Sequence, residues 1–232
     1  AILRSRVDDF AKPITLEMGK LIEESRGEVI LSADILDYYA ENAERFLAPQ
    51  QLTPVLGEAI IESSPLGVLL GIEPWNFPYY QLARFVAPNL MVGNVILVKH
   101  SQSVPQCATA FADLFIEAGA PMGAYTNLMI SKAQIATLIA DSRIKGVALT
   151  GSEEAGAIVA GQAGSALKKS TMELGGSDAF IVLEDADLDE TVKWALWGRI
   201  NNAGQCCVAA KRFIAVEAVA DRGRLPLGGL HV

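Results

Sequence analysis

An α/β fold with a parallel sheet is predicted by three features of this sequence. From residue 57 onward short apolar runs of strand length recur, segments of helical period lie between them, and turn residues separate the two. Alternation of this kind sets strands side by side in one direction, with helices on both faces. Hydrophobic residues make up 51% and charged residues 20% of the 232 positions, which supplies a packed core and rules out a disordered chain.

Residues 1 to about 47 read as two long amphipathic helices. In the first, Ile2, Leu3, Val7, Phe10 and Ile14 lie near helical spacing, and Pro13 predicts a break or kink. The second runs from about Glu23 to Phe46, with Val29, Ile30, Ile35, Leu36 and Tyr39 on its apolar side. From Gly57 the period changes. Residues 59–62 and 67–72 read as strands joined by the turn residues Ser63, Ser64 and Pro65, a β-hairpin near 57–72. Further strands are predicted at 95–98, 126–129, 146–149, 170–173 and 179–182, with helices near 79–91, 105–118, 133–141, 153–163 and 187–200.

The formal charge of −8 opposes nucleic-acid phosphates unless a basic patch offsets it. Lys168 with Lys169, and Lys211 with Arg212, are pairs rather than patches, so no nucleic-acid partner is expected. No apolar run approaches the roughly 20 residues that cross a bilayer. The longest nearly uncharged stretch, 77–98, is interrupted by Pro78, Arg84, Pro88 and Gly93, so no membrane partner is expected either. Cys107, Cys206 and Cys207 make no disulfide framework, and the neighbouring pair could close only a strained ring. Reduced thiols in a cytoplasmic protein are the expectation.

Five motifs carry candidate chemistry. Gly151 and Ser152 stand between a strand and a helix, where open N–H groups suit a pyrophosphate; Ser152 serves equally as a plain helix cap. The strand at 95–98 ends in Lys99, His100, Ser101 and Gln102, at the carboxyl end where ligands dock in such sheets; a solvated strand-end lysine is the alternative. Asn76, in Pro74-Trp75-Asn76-Phe77-Pro78, has its backbone stiffened by flanking prolines and aromatics, and its amide could meet a developing oxyanion. Glu173 ends an apolar strand ahead of Leu174, Gly175 and Gly176; it is either a functional carboxylate or an exposed turn residue. Cys207 follows Gly204, Gln205 and Cys206 in a short loop that can expose a sulfur, although paired cysteines in apolar stretches are often inert.

The joint order of these motifs resembles the aldehyde dehydrogenase superfamily over residues 1 to about 216. Glu173 and Cys207, 34 positions apart, also match the family arrangement. The resemblance implies a Rossmann-like NAD(P)-binding domain over 1–174 and the beginning of a second α/β catalytic domain over 175–216, an aldehyde dehydrogenase-like fold cut short. It implies Cys207 as the thiol nucleophile, Glu173 as general base and Asn76 as oxyanion donor. Trp75, Asn76, Lys99, His100, Ser101, Gln102, Gly151, Ser152 and Leu174 become cofactor contacts, for NAD or NADP. The substrate is then a small-molecule aldehyde, and the parent enzyme a homo-oligomer.

Arg84 is the one charge between Phe77 and Val98. It either snorkels to water or meets an anion. Its place before Pro88 resembles the succinate-semialdehyde branch, in which an arginine binds the substrate carboxylate; Ser177 agrees with that branch. Gln102 stands where many NAD-preferring relatives carry an acid, so a 2′-phosphate would not be repelled. Residues 217–232 depart from the family pattern: Gly223, Pro226, Gly228 and Gly229 cannot sustain the helix expected there. An out-of-frame or truncated end is the expectation, with a non-catalytic cofactor-binding remnant or assembly partner as the alternative function for such a fragment.

Overall fold

The computed structural model describes residues 1–220. It divides into two compact units, the first Ala1–Leu174 and the second beginning at Gly175. The first opens with helices α1 (Ile2–Ser5), α2 (Val7–Met18), α3 (Ile22–Glu41) and α4 (Ala43–Leu47). Pro13 lies inside α2, so the expected break does not occur there. Its missing hydrogen bond is offset by Phe10, Ala11 and Ile14, which are all buried around it. The chain turns instead at Arg6, outside helical φ/ψ, and at the left-handed Gly19. The long second helix likewise stops at Asn42, whose amide donates back to the Tyr38 carbonyl at 2.8 Å.

Strands β1 (Gln50–Leu52) and β2 (Ala59–Ile61) pair antiparallel as a separate ribbon. The hairpin expected near 57–72 is therefore corrected: residues 59–61 pair backward with 50–52, not forward. The forward segment β3 (Val68–Glu73) is buried on both faces, as a central parallel strand must be, whereas β2 is largely exposed. Then follow α5 (Tyr80–Met91), β4 (Val95–His100), α6 (Pro105–Glu117), β5 (Tyr125–Asn127), α7 (Lys132–Ala140), β6 (Ile144–Thr150), α8 (Glu153–Ser165) and β7 (Lys169–Glu173). Strands β3 to β7 form one five-stranded sheet of order β5-β4-β3-β6-β7, all parallel.

Side chains alternate across the sheet and feed two cores. Leu69, Ile96 and Val98 point toward α2, α3, α5 and α6, meeting Ile14, Val29, Leu82 and Phe111. Leu70, Val147 and Leu149 face the other way, toward Ile135 and Ile139 of α7 and Val159 and Ala163 of α8. Helix starts are capped locally: Ser131 and Gln134 form a reciprocal capping box on α7, and Ser152 Oγ accepts from Ala155 N on α8.

The second unit is a β-α-β turn of β8 (Asp178–Val182), α9 (Leu188–Ile200) and β9 (Ala210–Ala215), with β8 and β9 parallel, ending in the short α10 (Glu217–Ala220). Asp187 starts α9 by accepting from Asp189 N and Glu190 N. Of the segment expected to be anomalous, 217–220 is helical; 221–232 lies outside the described residues.

Helix α5 comes unusually close to β3 because Gly71 has no side chain. A Cβ built there would stand 2.6 Å from Phe85 Cε1 and 2.9 Å from Cδ1. Gly71→Ala therefore has to displace the ring or tilt α5, and should destabilise the fold by about 1–3 kcal/mol. Urea denaturation reads this directly; an unchanged midpoint would mean that Phe85 slides aside freely.

Candidate active site

Parallel pairing aligns the strand ends. Glu73 at the end of β3 lies opposite His100 at the end of β4, and Thr150 of β6 lies opposite Glu173 of β7. The loops beyond these residues carry the predicted site of the first unit: Trp75 and Asn76 after β3, Ser101 and Gln102 after β4, and Gly151 and Ser152 after β6. Gln102 and Ser152 are exposed, while Asn76, Ser101, Gly151 and Leu174 are half-buried. Lys99 is buried; its pKa is lowered first by that burial and then by the neighbouring charge of Lys132.

The His100 side chain is engaged within the protein. Its ring is buried, Nδ1 accepts from Ser101 N at 2.8 Å, and Nε2 lies 2.9 Å from the Pro78 carbonyl. The first bond places the proton on Nε2, which donates to Pro78. Burial pushes the ring's pKa down to about 4 against the pull of that carbonyl, so the imidazole is neutral at physiological pH. Its side chain ties β4 to the segment after β3.

Arg84, in the first turns of α5, reaches Glu173 with NH2 to Oε2 at 3.1 Å. The cation and the carboxylate that the sequence singled out separately thus form one pair. Their side chains are 31% and 53% exposed, so the pair contributes at most about 1 kcal/mol. It can be exchanged for another partner at little cost. Beside it lies a cavity of about 320 Å³, lined by Glu73, Gln81, Arg84, Thr150, Thr171 and Glu173.

Glu73 lies one residue beyond the strand end at 72 that the sequence predicts. The available signal was an acid closing an otherwise apolar run. Only 4% exposed, it leaves Oε2 without a hydrogen-bond partner. Burial raises its pKa to about 8, against the Thr150 hydrogen bond and the Arg84 charge. Lys20 and Glu28, both buried and paired with each other, carry no sequence signal that sets them apart from surface charges.

In the second unit, Cys207 sits beyond a backbone bend that few residues tolerate. Asn202, Ala203 and Gly204 have φ of 60°, 53° and 73°. Left-handed conformation is natural for glycine, accessible to asparagine and unfavourable for alanine, so Ala203 stores strain in this turn. Neighbours hold it: Arg199 donates to the Gly204 carbonyl at 3.2 Å, Asn202 Nδ2 to the Gln205 carbonyl at 3.3 Å, and Lys211 Nζ to the Cys207 carbonyl at 2.7 Å. Cys206 and Cys207 are both half-buried, and burial raises the Cys206 thiol pKa, favouring its neutral form. Cys107 is wholly buried in the first unit. The described residues contain no metal-binding group of three or more His, Cys, Asp or Glu, and no helix long and apolar enough to cross a membrane.

Comparison with known proteins agrees with this geometry. The model of the aldehyde dehydrogenase family matches residues 1–225. The chain is 55% identical over 220 residues to a succinate-semialdehyde dehydrogenase [NADP(+)] of Deinococcus radiodurans, covering 95% of this chain and 46% of that protein. It is 47% identical over 219 residues to the succinate semialdehyde dehydrogenase [NAD(P)+] Sad of Escherichia coli, covering 94% and 47%. The crystal structure of succinic semialdehyde dehydrogenase from Streptococcus pyogenes in complex with NADP+ superposes with a TM-score of 0.93 at 50% identity, covering 95% of this chain and 49% of that one. The chain spans about half the length of the curated relatives it matches.

The buried Glu73 predicts a pH signature. Below about 4.5 the folded and unfolded states both hold its proton; between there and about 8 only the folded state does. Unfolding then releases a proton, so stability falls as pH rises through this window, by an amount on the order of 5 kcal/mol, and levels off above it. Glu73→Gln should remove most of that decline in chemical denaturation at pH 5 and pH 8. Equal slopes for both proteins would show that Glu73 is ionised in the fold.

Proposed function

The chain belongs to the aldehyde dehydrogenase family, and we propose that the protein carrying it oxidises succinate semialdehyde, or a similar short aldehyde with a distal carboxylate, to the acid with NADP+ or NAD+. The observation that carries the substrate assignment is Arg84, a half-exposed guanidinium already holding a carboxylate, that of Glu173. A substrate carboxylate takes that place with a matching fork of hydrogen bonds and releases Glu173 for chemistry. Relatives named for succinate semialdehyde support the same reading.

In this mechanism the Cys207 thiolate adds to the aldehyde carbon, forming a C–S bond and an oxyanion. The Asn76 amide donates to that oxyanion; loss of one such donor typically raises a barrier by about 2.7–4 kcal/mol. Collapse of the adduct expels hydride and leaves a thioester on Cys207. When bound, the nicotinamide supplies the acceptor for that hydride. Glu173 then takes a proton from water as its oxygen attacks the thioester carbonyl, and Cys207 departs as thiolate with release of the acid.

The residues present suit the cofactor. The 13-residue helix α8 offers its N-terminus behind Gly151 and Ser152, with Trp75, Asn76, Lys99, Ser101, Gln102 and Leu174 as the remaining contacts. Lys99 and Lys132 repel one another, and the neutral Gln102 is exposed; a 2′-phosphate relieves that repulsion, which favours NADP+. Val55, Leu56, Ile60 and Ile61 are exposed on the β1–β2 ribbon and support a homo-oligomer that covers them. A cytoplasmic location fits the reading of Cys107, Cys206 and Cys207 as reduced thiols.

In the full-length protein Cys207→Ala should abolish NAD(P)H formation while Cys206→Ala retains it; turnover without Cys207 would place the nucleophile elsewhere. Arg84→Ala should raise KM for succinate semialdehyde by about tenfold or more, the value of one charged contact. An uncharged aldehyde of equal length should be affected far less. An unchanged KM for succinate semialdehyde would remove Arg84 from the substrate site.

A further inference from the structure

The segment bearing Asn76 is gripped by three groups remote in sequence. Glu28 of α3, with its side chain 2% exposed, directs Oε1 at the start of α5, where it accepts from Tyr79 N at 2.8 Å and Tyr80 N at 3.1 Å. That helix start has no side-chain cap of its own, so a buried carboxylate from another helix satisfies its open donors. The other oxygen, Oε2, pairs with Lys20, which follows α2 and is equally buried. The Lys20 ammonium also stands 4.1 Å from the centroid of the Phe77 ring. From β4, His100 Nε2 donates to the Pro78 carbonyl at 2.9 Å. Every residue from 77 to 80 is therefore held, beginning with the one next to Asn76.

A buried ion pair is a poor way to gain stability, because apolar residues of the same size often serve as well. It is a good way to fix a backbone at one place and in one direction. We infer that Glu28, held by Lys20, is a positioning residue for Asn76: it fixes the backbone of 77–80 so that the Asn76 amide is already aimed when the oxyanion forms. This rests on the oxyanion role of Asn76 proposed above. A donor contributes to the barrier only when it is preorganised, so slack in this backbone lowers turnover more than substrate binding.

The test is a double-mutant cycle in the full-length enzyme. Glu28→Gln should lower kcat about tenfold or more with KM changed less than about twofold, and in an Asn76→Ala background it should cost less than about twofold. Glu28→Gln leaves Lys20 charged and buried, which threatens folding. The neutral double variant Lys20→Met with Glu28→Gln removes that charge, and should fold normally by circular dichroism yet show the same loss in kcat. Glu28→Asp, which keeps the charge, should recover part of it. Additive losses with Asn76→Ala, or a folded neutral double variant with unchanged kcat, would overturn the positioning role. An Asn76→Ala enzyme as fast as the unsubstituted one would instead overturn the oxyanion reading on which it rests, a result distinguishable from additivity.

Discussion

Five strands running in the same direction are the constraint on which the rest of the first unit depends. Because β3, β4, β6 and β7 are paired in register, their carboxyl ends coincide, and Glu73, His100, Thr150 and Glu173 arrive at one edge. No residue there needs to be near another in sequence. Each strand delivers its last side chain, and each following loop delivers the next: Asn76, Ser101 or Ser152. A helix must then leave that edge without closing it. Gly71 lets α5 lie close against β3, and that placement brings Arg84 to Glu173.

Three buried charges at or near this edge are handled in three different ways. Glu28 is neutralised by Lys20 and two backbone donors. Glu73 has no such partner and keeps its proton into the neutral range. Lys99 has its pKa lowered by burial and by the charge of Lys132. The first is completed within the protein, the second avoids charge, and the third has its charged form disfavoured. The exposed Arg84–Glu173 pair differs from all of them, because solvent keeps it weak enough to be exchanged.

Most of the sheet was legible because strand periodicity and turn residues are local signals. The alternation from residue 67 onward locates β3 to β8 and the intervening helices within a few residues. Long-range pairing was not legible. Gln50, Gln51 and Leu52 form an exposed strand with no apolar pattern, so β2 was assigned to the wrong neighbour. Pro13 suggested a break that buried neighbours prevent. The chemical motifs could be read by residue type and order, yet their partners could not. That His100 is spent on the Pro78 carbonyl, that Arg84 meets Glu173, and that Glu28 caps a helix about 50 residues away all follow from the packing of distant elements. The left-handed run at Asn202 and Ala203 was equally invisible, since alanine gives no hint of positive φ.

Mass spectrometry of the full-length protein carrying Glu173→Gln, incubated with succinate semialdehyde and NADP+, tests the account most directly. Without the base, the acyl intermediate should persist. The peptide containing Cys206 and Cys207 should then gain a succinyl group that fragmentation assigns to Cys207, one that hydroxylamine removes. An unmodified Cys207, or a succinyl group on Cys206 or any other side chain, would contradict it.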